Sequence, residues 1–263
     1  MYRIFFVIIF LSTLTAADGQ FNESEFLYRA KTIYHSLRLS GLDNFSGWVT
    51  SNNFIERTDN IFNQEVYPFE IIWKNPNQIF YIQRPLPTLE NEEQKNVVHQ
   101  AQMDLLAELK SLLIDWQQFY AGNILDDLPE NYLITSDQDT VFIQFEKYED
   151  GKNTQAKMVF GINGICVKIK TRFTETNEEV LIYPGYKLVD DKWLLNKWTV
   201  QMLTNGQVQS GFVVRLESTK IENYWIPKRI IMQLKKRGLE NTWFIREYTL
   251  SNIVLNKDLQ VLR

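Results

Sequence analysis

The chain has 263 residues, 44% hydrophobic and 14% aromatic, with 28 Lys+Arg against 32 Asp+Glu for a net charge of −4. That much apolar surface builds a sizeable core and excludes wholesale disorder. The acidic balance argues against nucleic acid as a partner, because neutralising phosphates takes a basic face. The single cysteine, Cys166, excludes an intramolecular disulfide and a thiolate zinc site.

Residues 1–20 read as a secretory signal peptide. Arg3 gives a positive start, Ile4 to Leu11 an apolar run, and Thr13 to Ala17 small residues for cleavage. The run is too short to span a bilayer as a helix. No Gly/Ser-rich linker or repeat divides residues 21–263, so one domain is expected, periplasmic or secreted after cleavage. Export without disulfides suits a bacterial periplasm.

Phe26, Ala30, Ile33 and Leu37 recur at helical spacing, which predicts a helix over Phe26 to Leu39. Asn22 or Ser24 caps it, and Gly41 stops it. Phe45 to Phe54 reads as a strand, with Gly47 marking a bulge or close approach. Arg57 to Gln64 reads as a polar loop. Phe69 to Trp73 and Gln78 to Ile82 are strands, the second stopped by Pro85 and Pro87. Asn91 to Tyr120 carries the longest helical pattern, about 45 Å at ~1.5 Å per residue. Its apolar face is wide: Val98, Leu105, Leu109, Leu112, Trp116 and Phe119, with Leu106, Leu113 and Tyr120 beside them.

From Asn131 to Leu255 the pattern becomes a meander of antiparallel strands. Asn163-Gly164, Asn205-Gly206 and Asp150-Gly151 sit between apolar runs, the strongest short-range hairpin signal. Glu175 to Asn177 and Asp190-Asp191 are weaker turns. Val180 to Tyr183 is expected to end at Pro184-Gly185. Leu194, Trp198, Val200 and Met202 alternate onto one face, as do Phe212, Val214 and Leu216, then Ile230, Met232 and Leu234, and finally Phe244, Tyr248 and Leu250. Lys228, Arg229 and Lys235 to Arg237 read as a solvated edge and turn.

Catalytic patterns are missing. The two histidines, His35 and His99, lie near no Ser or Cys motif, and no phosphate loop, His-Glu-x-x-His or dinucleotide fingerprint occurs. Cys166, between Ile165 and Val167, reads as a small strand residue. No enzyme activity, cofactor or metal is expected. What remains is apolar surface. A curved sheet with helices across its hollow can enclose a site for a hydrophobic ligand, or be filled as an ordinary core.

Tyr67-Pro68-Phe69-Glu70-Ile71-Ile72-Trp73-Lys74-Asn75-Pro76 follows the N-terminal helix and the strand at Phe45-Ser46-Gly47. This order resembles the periplasmic lipoprotein-carrier half-barrels, the LolA/LolB-like family, which place an Arg-Pro-x-x-Phe-x-Trp…Pro stretch there. The hairpins of Tyr132 to Phe173 and the strand entry Ile221 to Ile230 are similar to that family as well. Tyr67 stands where the family has an arginine associated with lid closure, and the Asn91–Tyr120 helix stands where it has lid segments. The resemblance implies an α+β fold, mainly antiparallel β. It is an incomplete (half) β-barrel with an N-terminal helix and a long helix over the concave face. It also implies carriage of lipid or lipoprotein acyl chains, with membrane-associated donor and acceptor proteins, to the outer membrane.

The expected function is therefore a monomeric, non-enzymatic binder or carrier of a hydrophobic ligand. Trp48, Phe69, Ile71, Trp73, Trp198, Val200 and Phe212 would line the cavity from the sheet, and Leu105, Leu109, Leu112 and Trp116 from the helix. The alternatives are an envelope protein–protein interaction module without a cavity, and a secreted hydrolase.

Overall fold

The computed structural model describes residues 21–126, 128–149, 152–235 and 243–258 of the chain. Residues 1–20, expected as a signal peptide, and Asp150-Gly151, expected as a turn, lie outside the described residues.

Three α-helices occur among them: α1 (Glu23–Thr32), α2 (Asn52–Thr58) and α3 (Glu92–Trp116). Three strands come from the first third of the chain: β1 (Asn44–Ser51), β2 (Phe69–Lys74) and β3 (Gln78–Gln83). The meander supplies β4 (Leu133–Asp137), β5 (Thr140–Glu149), β6 (Lys152–Gly161), β7 (Cys166–Phe173) and β8 (Glu178–Val189). It continues with β9 (Lys192–Thr204), β10 (Gln207–Ile221), β11 (Tyr224–Lys235) and β12 (Trp243–Leu255).

All twelve strands join one antiparallel sheet in the order β3-β2-β1-β12-β11-β10-β9-β8-β7-β6-β5-β4. The chain's last strand returns to pair with its first, Val49 opposite Leu250. β3 and β4 remain the two edges, so the sheet is not closed. α3 is the connection from one edge to the other. Its 25 residues span about 37 Å. No helix among the described residues is long and apolar enough to cross a membrane.

Local chemistry accounts for the boundaries. The Asn22 side chain accepts from the Glu25 N–H to start α1, and the Asn91 side chain accepts from the Glu93 and Gln94 N–H groups to start α3. Asn205 and Gly206 both have positive φ, 51° and 76°, as a type I′ hairpin demands. Asp190 and Asp191 do the same, at 46° and 59°. Short acid side chains tolerate that region better than bulky ones.

Four boundaries differ from the sequence reading. α1 ends at Thr32, not Leu39, because the chain leaves the helix to pair with β9: the Trp193 N–H donates to the Ile33 carbonyl and the His35 N–H to the Trp193 carbonyl. His35 therefore lies outside the helix, its ring 2.9 Å from the Val189 carbonyl. β1 stops at Ser51, whose side chain caps α2 by accepting from the Phe54 N–H, so the end of the expected strand, Asn52 to Phe54, is helix, as are Arg57 and Thr58 of the expected polar loop. α3 finishes in a π-helical turn, Gln117–Ala121, before Gly122. β8 runs through Pro184 and Gly185 to Val189. The β7 ladder ends at Ile169–Ile182, so the missing Pro184 N–H costs no bond on that side.

Candidate functional site

Cross-strand register assigns every side chain to one of two faces. On one face a ladder runs Ile134–Ile143–Met158–Ile169–Ile182–Val200–Phe212–Leu234–Phe244 across eight neighbouring strand pairs. The next rungs on that face include Trp198, Val214, Met232 and Arg246, then Leu216, Ile230, Tyr248 and Ser51. Phe45, Val49, Phe69, Ile71 and Trp73 continue the face onto β1 and β2.

The helices seat on this face, but unevenly. α1 touches the β6–β7 corner: the Phe26 ring meets Phe160 edge-on at 5.7 Å, and Gly164 lies under Ala30. Just beyond the helix, the Tyr34 hydroxyl donates to the Gly164 carbonyl at 2.9 Å and accepts from the Cys166 N–H at 2.7 Å. α3 covers β1 and β12. Trp116 meets Phe45 edge-on at 6.0 Å and stacks on Tyr120 at 5.6 Å. The Tyr120 hydroxyl reaches the Trp225 carbonyl at 2.8 Å.

Among the described residues, side chains below α3 pack closely where a hollow was expected. Ile71, Trp73 and Trp116 meet Phe45, Leu113 and Ile230 around a space of about 10 Å³. That is room for one water at most, where drug-sized ligands occupy ~300–1,000 Å³. Phe69, Ile71, Trp73, Leu105, Leu109, Leu112, Trp116, Trp198 and Val200 are buried members of one apolar cluster. Ten of the eleven expected lining residues thus lie on or against the helix-bearing face, nine of them as packed core. Trp48 is the exception. It is opposite Glu70 on the other face, with the Arg84 guanidinium 3.5 Å above its ring. The alternation of β1 puts Phe45, Gly47 and Val49 inward, so Trp48 points away.

The same face opens toward the Asn205-Gly206 end. Val200 is buried, but Phe212 and Leu234 are half-buried, Phe244 is 39% exposed and Met202 44% exposed. These are apolar side chains on the core-bearing face that the helices do not bury. Between the packed and open parts stands a polar clasp. The two carboxylate oxygens of Glu108 on α3 accept from the Arg246 Nε at 3.3 Å and from the Tyr248 hydroxyl at 3.0 Å. One helical turn away, Asp104 accepts from Arg57 of α2 and from the Gln100 amide. These bonds hold the Asp104 carboxyl below the usual carboxylate range. Burial, and next the Glu108 charge, push the Tyr248 phenol well above its ordinary value.

Sequence reasoning missed Arg246. Its signal is a charge on the apolar parity of Phe244, Tyr248 and Leu250. The chemistry of this region is apolar contact with one arginine at its margin. Comparison with protein-family models, curated proteins and solved structures found no match to this chain.

Proposed function

We propose that the protein is an exported, non-enzymatic binder of a hydrophobic ligand, lipid or acyl chain, and that the ligand lies on the open end of the helix-bearing face. One observation carries this reading: the rung Val200–Phe212–Leu234–Phe244 passes from buried to 39% exposed without changing face. The ligand covers Met202, Phe212, Leu234 and Phe244, beyond the end of the helical cover. It does not enter the core below α3. A sheet curved as an incomplete barrel would bring these side chains around one chain. Removing ~300 Å² of apolar surface from water would gain roughly 7.5 kcal/mol, enough for specific uptake.

The test is uptake of a fluorescent fatty acid, together with native mass spectrometry of protein purified from cells. Phe244→Glu with Met202→Lys is expected to weaken uptake at least tenfold while the unfolding midpoint stays near that of the parent. Undiminished uptake by this variant overturns the placement.

The packed interior favours a second reading, an envelope interaction module that buries the same open rungs against another protein. Absence of both co-purifying lipid and fatty-acid uptake decides for it.

A further inference from the structure

The face opposite the helices carries an unusual arrangement of charge. Lys157 on β6 lies directly opposite Lys170 on β7, and Lys197 on β9 directly opposite Arg215 on β10. Like charges at directly paired positions repel and destabilise a sheet. Lys168 and Arg172 extend the first pair along β7 on the same face, since residues two apart share a side.

Acids on these strands are already engaged. Glu179 holds Lys170 at 2.7 Å, and Glu217 pairs with Arg229 of β11 at 3.3 Å. Glu146 accepts from the Gln155 amide at 3.0 Å. Lys157, Lys168, Lys197 and Arg215 form no ion pair among the described residues. Two of them sit over rings instead, Lys157 4.2 Å from the Phe142 centroid and Lys168 5.5 Å from that of Tyr183. A ring orients an ammonium group without cancelling its charge. Four uncompensated cations thus share one sheet face of a protein whose net charge is −4.

From this charge complementarity we propose that the outer face of β6–β10 docks on the anionic surface of a lipid bilayer. Five strands at ~4.8 Å spacing make a face about 19 Å across, broad enough to meet a surface of headgroups. The half-buried Tyr183 ring on β8 lies between the cations of β7 and those of β9, and the half-buried Phe142 ring flanks them on β5; aromatic rings settle at the headgroup level. An open groove of about 570 Å³ beside the patch takes Lys157, Lys170 and Arg172 into its wall together with one carboxylate, Glu146, so cations outnumber acids there by three to one. This face is not the one that holds the apolar rungs, so the proposal stands independently of the ligand reading.

The experiment is sedimentation of the full chain with two kinds of vesicle, phosphatidylcholine alone and phosphatidylcholine with about one third phosphatidylglycerol. The patch variant is Lys168→Gln/Lys197→Gln/Arg215→Gln. A control of equal charge change, Lys31→Gln/Lys74→Gln/Lys110→Gln, removes exposed lysines elsewhere. The parent is expected to bind only the anionic vesicles, and less as salt rises. Each basic side chain near such a surface is worth about fivefold in affinity, so the patch variant should lose roughly 100-fold. The control should lose no more than about threefold, because its charges lie away from the contact. The patch variant should also unfold no earlier than the parent, since it relieves the Lys197–Arg215 repulsion. Equal binding to both vesicles overturns the proposal, because it reports apolar insertion. So does an equal loss in the control, or preferential binding of single-stranded nucleic acid or polyglutamate over the anionic vesicles.

Discussion

Glu108 on α3 and Tyr248 on β12 are joined by a 3.0 Å hydrogen bond, with the phenol fully buried and donating to the carboxylate. The other carboxylate oxygen accepts from Arg246. Tyr248→Phe removes one donor and leaves the acid paired, so it should cost about 1 kcal/mol. Glu108→Leu strands both the phenol and the guanidinium, and should cost roughly 2–3 kcal/mol. Urea denaturation of the two variants checks this. Equal losses would mean that Glu108 does nothing for Arg246.

Alkali should unfold the protein through its interior phenols. Burial raises the pKa of Tyr34, Tyr120 and Tyr248 above the ordinary 10.0. Between that value and the raised one, the folded chain keeps protons that the unfolded chain has lost. Their stabilisation is therefore present in full below pH about 10 and fades as pH rises above it. Unfolding midpoints recorded against pH should stay level to about pH 10 and then fall. The share of the phenolate absorbance that comes from these buried tyrosines should rise in step with unfolding. A full phenolate signal from still-folded protein contradicts the assignment.

The two hairpin glycines should respond differently to alanine. Gly206, at φ 76°, has open space where a Cβ would sit, so Gly206→Ala pays only the left-handed backbone strain of about 1–2 kcal/mol. Gly164, at φ 88°, would place its Cβ 3.2 Å from the backbone of Ala30. Gly164→Ala must push α1 away as well, and its unfolding midpoint should be clearly the lower of the two. Equal midpoints would show that α1 is not seated on this turn.

Cys166 is buried, and that burial pushes its thiol up to about 12. The thiolate is the reactive species. Native protein at about pH 8 should therefore give no reaction with a disulfide reagent, and one thiol per chain after denaturation. Prompt labelling of the native state would place the β6–β7 corner in solvent.

Much of the fold was legible because its signals are local. Asn205-Gly206 dictates a hairpin through backbone sterics alone, and Asn91 with two glutamates behind it starts α3 without help from the rest of the chain. The alternation of β9 to β12 placed Trp198, Val214, Ile230 and Tyr248 on one face, where the register finds them. Trp48 turns to the face opposite the expected one, because an aromatic on a strand does not by itself announce its face. The neighbouring Phe45 and Val49 held the better parity. The helical spacing of Phe26 to Leu37 outruns α1, because only the partner strand at Trp193 ends it.

What the amino-acid order determined alone is the set of elements and the side each strand turns to the core, since sterics, capping and two-residue periodicity act within a few residues. Whether the space below α3 is filled was decided in three dimensions, by how Trp73, Trp116 and Phe45 interlock. The same holds for where the helical cover stops and leaves Phe244 open, and for which lysines lie opposite each other. These depend on residues far apart in the chain meeting at fixed distances, and volume and register exist only once they meet.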